Sequence, residues 1–444
     1  MGSPELARGN RDAPNSVGKY LDTPAANATG RGVSYTLAPS PVDSNTSWAG
    51  TDDGLIHVTR NNGKTWTNFT PPLLGAWAKI SLMDASHFDA GTAYAAVNTL
   101  RLDDLRPHIF RTRDGGTSWT EIVTGIDSGA TTNVVREDPT RKGLLFAGTE
   151  RQVWFSLDDG DHWQSLRMNL PATSVRDLII KDNDVAVGTH GRGFWILDDI
   201  TPLRQWSERL TAAPAALFKP AIATRVRYSM YTDTPVPPDE SLAENPPDGA
   251  VIDYWLRADA AAAVSLDILT DKGRVVRHYS SDDKFDAPKD EGNWPSYWFR
   301  SLSPLQTTAG LHRYVWDLHY TTPSVQQFSL PISATPRNTL REPQGIWAHP
   351  GQYTVRLTVD GKSYTQPLVV RMDPRVKSPA AGLQQQFTLS LGLYDGLRHA
   401  LAGTEQADSL RSQINDRKTK ANAALNAMLD SLDKKLIALA GANG

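Results

Sequence analysis

Thr112-Arg-Asp-Gly-Gly-Thr-Ser-Trp119 is the stretch whose reading decides the fold. Two further segments run in the same order, Thr59-Arg-Asn-Asn-Gly-Lys-Thr-Trp66 and Ser156-Leu-Asp-Asp-Gly-Asp-His-Trp163. The closing tryptophans stand 53 and then 44 residues apart. A second phrase keeps step with them: Trp48-Ala-Gly-Thr51, Phe146-Ala-Gly-Thr149 and Ala186-Val-Gly-Thr189 each close an apolar run. Periods of about 40 to 50 residues with several short strands per unit belong to propeller blades.

Each box reads as a turn. Thr59, Thr112 or Ser156 opens it, and the side chain of Asn61, Asp114 or Asp158 can accept bonds from backbone amides across the turn. Gly63, Gly116 and Gly160 sit where a positive φ is expected. The closing Trp66, Trp119 and Trp163 are expected to fold back over their own hairpins. Burying such a ring removes about 150 to 250 Å² from water, a gross gain of about 4 to 6 kcal/mol at the usual area coefficient. An exposed ion pair contributes about 1 kcal/mol or less. The box is therefore read as a folding device, and 13 tryptophans against 11 phenylalanines as mostly a record of blades.

These residues carry a family resemblance. Ser/Thr-x-Asp-x-Gly-x-Thr/Ser-Trp is the Asp-box (BNR-repeat) pattern, which residues 112–119 match at every position, while Asn61 and His162 depart from it. The phrase Val187-Gly-Thr-His-Gly-Arg-Gly-Phe-Trp-Ile-Leu-Asp-Asp199 resembles the closing blade of sortilin-type bacterial propellers, often labelled glycosyl-hydrolase-like. The resemblance covers residues 33–205. It implies the C-terminal part of such a propeller protein, an extracellular or periplasmic location, and a protein or peptide ligand, or a glycan. Asp boxes occur in sialidases, xyloglucanases, receptors and assembly factors, so the box does not choose an activity.

About four blades fit into residues 33–200, fewer than the six, seven or ten of the rings that the family resemblance suggests. An open propeller leaves sheet faces and strand edges uncovered, and self-association, or a partner that completes the ring, is the expectation. Residues 1–32 read as a polar arm without the apolar stretch of a secretory signal. Residues 201–222 read as a linker and 223–375 as an immunoglobulin-like sandwich. Its clearest strand alternates Tyr353, Val355, Leu357 and Val359 with polar residues before an Asp360-Gly361 turn. Thr232 to Gly249 reads as a long polar loop. Residues 376–444 read as a helical hairpin, with Leu383, Phe387, Leu391 and Tyr394 in the first stripe, Leu410 to Leu439 in the second, and Gly403 ending the first helix. The expected fold is thus mainly β: a partial propeller, a sandwich and a hairpin.

Composition narrows the chemistry. The 444 residues hold 46 Lys+Arg against 49 Asp+Glu, a net charge of −3, and no cysteine. That argues against a nucleic-acid partner and excludes disulfides and thiolate metal sites. No apolar run is long enough to span a membrane as a helix. The ten histidines form no metal motif, the nearest pair being His312 and His319 on one apparent strand, and no cofactor is expected. Glycoside hydrolysis would need two carboxyls about 5 to 9.5 Å apart; Asp103, Asp104, Glu150, Asp198 and Asp199 are the candidates. For Asp198 and Asp199 the favoured role is a structural end-cap. Arg151, His190 and Arg192, on turns near the propeller axis, could hold a carboxylate, against the commoner role of a solvated turn. The first reading is a non-catalytic binding or scaffold protein; the alternative is a glycoside hydrolase.

Overall fold

A computed structural model describes Leu6 and residues 32–227, 237, 239–240, 243, 245–323, 328–331, 334–335, 337–419 and 422–440. The polar arm, apart from Leu6 and Gly32, and half of the Thr232 to Gly249 loop lie outside the described residues. The chain divides into two compact units, residues 1–206 and 207–444.

The first unit is an arc of four antiparallel sheets in chain order. Blade one is β1 (Ser34–Pro39), β2 (Ser47–Thr51), β3 (Ile56–Thr59) and β4 (Thr67–Asn68). Blade two is β5 (Lys79–Ala85), β6 (Ala93–Asn98), β7 (His108–Thr112) and β8 (Thr120–Glu121). Blade three is β9 (Thr132–Glu137), β10 (Leu145–Thr149), β11 (Val153–Ser156) and β12 (Gln164–Ser165). Blade four has three strands, β13 (Val175–Lys181), β14 (Asp184–Thr189) and β15 (Phe194–Leu197). In every blade each strand pairs with the next, the meander of a propeller.

The cores lie between blades. Trp48, Ile56 and Val58 of blade one pack with Ile80, Met83 and Phe110 of blade two. Ala96 and Ile109 meet Val135, Leu145 and Trp154 at the second junction, and Val134, Phe146 and Val153 meet Val175, Leu178 and Val187 at the third. The recurrent Gly-Thr phrase has its reason here. A Cβ on Gly50 would stand 2.4 Å from Ile80 Cγ2, and one on Gly148 2.4 Å from Val175 Cγ1. The missing side chain lets the next blade's inner strand close onto the sheet. At Gly188 of blade four the nearest atoms, Asp177 O at 3.7 Å and Phe194 Cε1 at 3.8 Å, belong to its own blade.

After blade four, α1 (Thr201–Gln205) and α2 (Glu208–Ala212) precede β16 (Ala215–Leu217). The expected linker is therefore ordered, and its apolar Ala-Ala-Leu section joins a sheet. The sandwich pairs the order β16, β18 (Ala250–Leu256), β21 (Gly310–Trp316) with the order β17 (Ala223–Arg225), β23 (Lys362–Met372), β22 (Gly351–Val359), β19 (Ser265–Thr270), β20 (Val275–Ser280). Tyr353, Val355, Leu357 and Val359 are buried in its core, as their alternation predicts.

Two helices follow, α3 (Ala380–Lys418) and α4 (Ala423–Ala440). Phe387, Leu391 and Tyr394 of α3 cover the sandwich core, and Ala407 and Ile414 pack on Leu429 and Leu436 of α4. Gly403 does not end the first helix. It lies inside α3 with nothing near its absent side chain; a lone glycine costs a helix only about 1 kcal/mol, and the neighbouring turns carry it through. Leu410 and Ile414 accordingly belong to the first helix, and Ala421 lies outside the described residues. His319 also departs from expectation: it lies beyond β21, buried against Trp347 at 3.9 Å between ring centroids. Among the described residues no helix is long and apolar enough to cross a membrane, and no group of three His, Asp or Glu side chains could hold a metal ion.

Candidate functional site

The three boxes form one geometry despite their different sequences. Gly63, Gly116 and Gly160 each donate their amide to the opening hydroxyl of Thr59, Thr112 or Ser156 at 2.9 Å. The third-position side chain then accepts the amide four residues on: Thr65 to Asn61, Ser118 to Asp114 and His162 to Asp158, all at 2.9 Å. Asn61 serves because its oxygen does the accepting, while its amide nitrogen reaches Thr65 Oγ1 at 2.8 Å. His162 serves because its Nδ1 lies 2.7 Å from Asp158 Oδ2, as the Ser118 hydroxyl lies 2.6 Å from Asp114 Oδ2.

The hydroxyl and amide of Ser118 hold the Asp114 carboxyl down at about 2. An unfolded aspartate titrates near ~3.9, so the folded value is the lower one. The stabilisation is complete above about pH 4 and lost as pH falls through about 2. A carboxyl carbon titration is expected to place Asp114 near 2; a midpoint near 4 would show that the turn does not form as described.

The tryptophans correct the expectation that they fold back over their own hairpins. Trp119 Nε1 donates to the Phe69 carbonyl of blade one at 2.8 Å, and its ring meets Trp48 edge-on at 5.8 Å. Trp163 Nε1 donates to the Ile122 carbonyl, just past β8, at 2.9 Å. Each ring is a staple to the preceding blade. A forward clamp answers it from the second box position: Arg60 reaches the Gly115 carbonyl at 2.7 Å, and Arg113 pairs with Asp159. Sequence reasoning passed over these arginines, although their shared position in the box was the available signal. Trp66 has no preceding blade among the described residues and stays half-buried.

At the far end, among the described residues, the arc ends on a sheet with one face uncovered. Cross-strand register sets Ile179, Ala186 and Ile196 side by side, with Asp177, Gly188 and Phe194 beside them on the same face. Phe194 is 90 %, Ile196 62 % and Ile179 51 % exposed. The other face, with Val185, Val187 and Leu178, is buried against blade three. Among the described residues β15 is also an edge strand. Thr189 donates to the Gly193 carbonyl, so by antiparallel alternation the main-chain groups of Phe194 and Ile196 point away from β14.

Arg151, His190 and Arg192 lie at one end of this blade. The Thr173 amide donates to the Arg151 carbonyl at 3.1 Å, and the Thr173 hydroxyl reaches the His190 carbonyl at 3.5 Å, so the two turns are neighbours. The Arg192 amide donates to Thr189 Oγ1 at 3.1 Å, and Trp195 Nε1 to the Arg192 carbonyl at 2.9 Å. All three side chains are exposed, and none has a carboxylate partner among the described residues. Three of the candidate acids are engaged. Glu150 pairs with Arg176 at 3.0 Å and accepts from Asn133 at 3.1 Å, Asp104 is held by Arg106 and His108, and Asp199 accepts the Thr201 amide at the head of α1.

No family model and no curated protein sequence matches the chain. Among solved structures it is similar to YCF48 bound to a D1 peptide, at 15 % identity over 38 % of this chain and 54 % of that one, TM-score 0.30. It is similar to YCF48 from Cyanidioschyzon merolae at 16 % identity, with the same coverage and a TM-score of 0.29. It is also similar to a GH74 xyloglucanase from Xanthomonas campestris at 16 % identity over 76 % of this chain and 45 % of that one, TM-score 0.30. The chain spans about half the length of these structures.

Proposed function

We propose that the chain is a non-catalytic binding and scaffold protein of the sortilin-type Asp-box class, placed outside the cytoplasm, whose open fourth blade takes a protein partner. The observation that supports this is the apolar outer face of blade four, with Phe194 almost fully exposed on a strand that has an open edge among the described residues. Patches of this kind mark interaction surfaces, and an open strand edge receives an extended segment through main-chain bonds. The other end of the arc suggests the partner. Trp66 stands ready to staple a preceding blade as Trp119 and Trp163 do, so blade four of one copy fits against blade one of another. Such a contact is heterologous, head to tail. Arg192, His190 and Arg151 at its border would receive a carboxylate of the incoming chain.

Sedimentation tests the reading. The wild-type chain is expected to associate at micromolar concentration, and Phe194→Lys with Ile196→Lys to shift it to monomer by at least ~10-fold in Kd, about 1.4 kcal/mol. Both side chains face solvent, so the fold should survive. Identical masses for the two proteins would overturn it. The alternative, a glycoside hydrolase with paired carboxylates, would declare itself by release of reducing ends from xyloglucan, where the binding reading predicts none.

A further inference from the structure

The second unit contains a cleft that the propeller reading does not use. It is about 500 Å³ in volume and opens at the side of the sandwich, where the edge strands β20 and β21 face each other. Tyr279 of β20 and Tyr314 of β21 line it, their ring centroids 4.6 Å apart, and Tyr297 adds a third aromatic wall. Tyr314 lines the cleft, and its hydroxyl has no hydrogen-bond partner among the described residues.

Charged groups surround these rings in balance. Arg300 lies between Asp248 at 3.3 Å and Asp317 at 4.0 Å. Arg313 pairs with buried Asp253 through two contacts of 2.9 and 3.2 Å. Arg277 packs over the Tyr279 ring at 5.1 Å and donates to the Tyr320 carbonyl at 3.3 Å, with no carboxylate partner among the described residues. With Arg337 and Glu240, four guanidinium groups thus line the cleft against three carboxylates, and Asp253 behind Arg313 supplies the fourth. An ionic ligand would upset that balance, whereas a neutral ligand rich in hydroxyls could take donors from Arg277 and Tyr314 and acceptors from Asp317 and Asp248. Aromatic walls with a few placed polar groups are how pockets of this size bind small ligands, and tyrosine offers an apolar ring with a polar tip.

We propose that this cleft is a binding site for a neutral saccharide of one or two sugar units. The sugar's C–H faces lie on Tyr314 and Tyr297, which Tyr279 backs from the core, and its hydroxyls bond to Arg277, Tyr314 and Asp317.

The test uses the full chain, with cellobiose, maltose, lactose and sucrose as neutral probes and glucuronate and citrate as charged ones, read by calorimetry and saturation-transfer NMR. At least one neutral disaccharide is expected to bind, and Tyr314→Phe, which keeps the ring packing, to weaken it by ~3- to 10-fold, the loss of one hydrogen bond. Arg277→Gln should weaken it further, with both variants melting like wild type. The proposal is overturned if no neutral disaccharide binds at about 50 mM, well beyond the millimolar affinities of weak small-ligand sites. It is equally overturned if the anions bind in preference, or if both variants bind as tightly as wild type.

Discussion

Trp163→Ala is expected to destabilise the first unit by about 3 to 5 kcal/mol, the range for removing a large aromatic from a packed interior. The ring is 4 % exposed and packs with Ile122, Leu145 and Trp154, and its Nε1 holds the Ile122 carbonyl between blades two and three. Deleting it leaves a cavity and strands that carbonyl. Trp66→Ala provides the internal control. Its ring occupies the same box position but has no preceding blade among the described residues, so its loss should cost about 1 kcal/mol, as for a typical point mutation. Urea unfolding of the two variants measures the difference. Equal costs would mean that the tryptophans act within their own hairpins and not as staples between blades.

Arg204→Ala is expected to cost a similar amount for a different reason. Arg204, in α1, reaches back to Asp138 of blade three at 2.9 Å, and also bonds Asn183 and the Asp182 carbonyl of blade four. The Asp138 side chain is fully buried, and it also accepts the amides of Thr140 and Arg141. Removing one partner of a buried pair leaves an uncompensated charge and costs about 3 to 5 kcal/mol. Arg204 therefore fastens blade four to blade three, and in its absence blade four should exchange its amide hydrogens early. Hydrogen exchange that stays uniform across blades three and four would contradict this role.

The sequence was informative where chemistry is local. The box hydroxyl, the accepting side chain and the glycine act within five residues, so their spacing predicts the turn, and even Asn61 and His162 keep it by supplying equivalent atoms. It was less informative where the partner comes from another repeat. Periodicity names Trp119 and Trp163 but not the blade each one touches, and the ring reaches backwards. The Gly-Thr phrase likewise looks like a strand terminator until Ile80 and Val175 are seen pressing on it. Gly403 misled because a helix with good neighbours absorbs one glycine, and Ala215 to Leu217 because three residues are too few to show an alternation. The cleft on the sandwich was invisible, since Asp248, Arg277, Arg300 and Tyr314 come from separate strands and loops with no fixed spacing.

Both ends of the arc matter to the binding reading, and one cross-linking measurement addresses them together. A photo-reactive phenylalanine analogue placed at Phe194, in an equal mixture of normal and nitrogen-15-labelled chains, reports what covers blade four and whether it comes from another molecule. The head-to-tail account predicts mixed-isotope cross-links from position 194 to blade one, near Trp66 and β1. Cross-links confined to a single chain, or none at concentrations where the protein is otherwise intact, would contradict it.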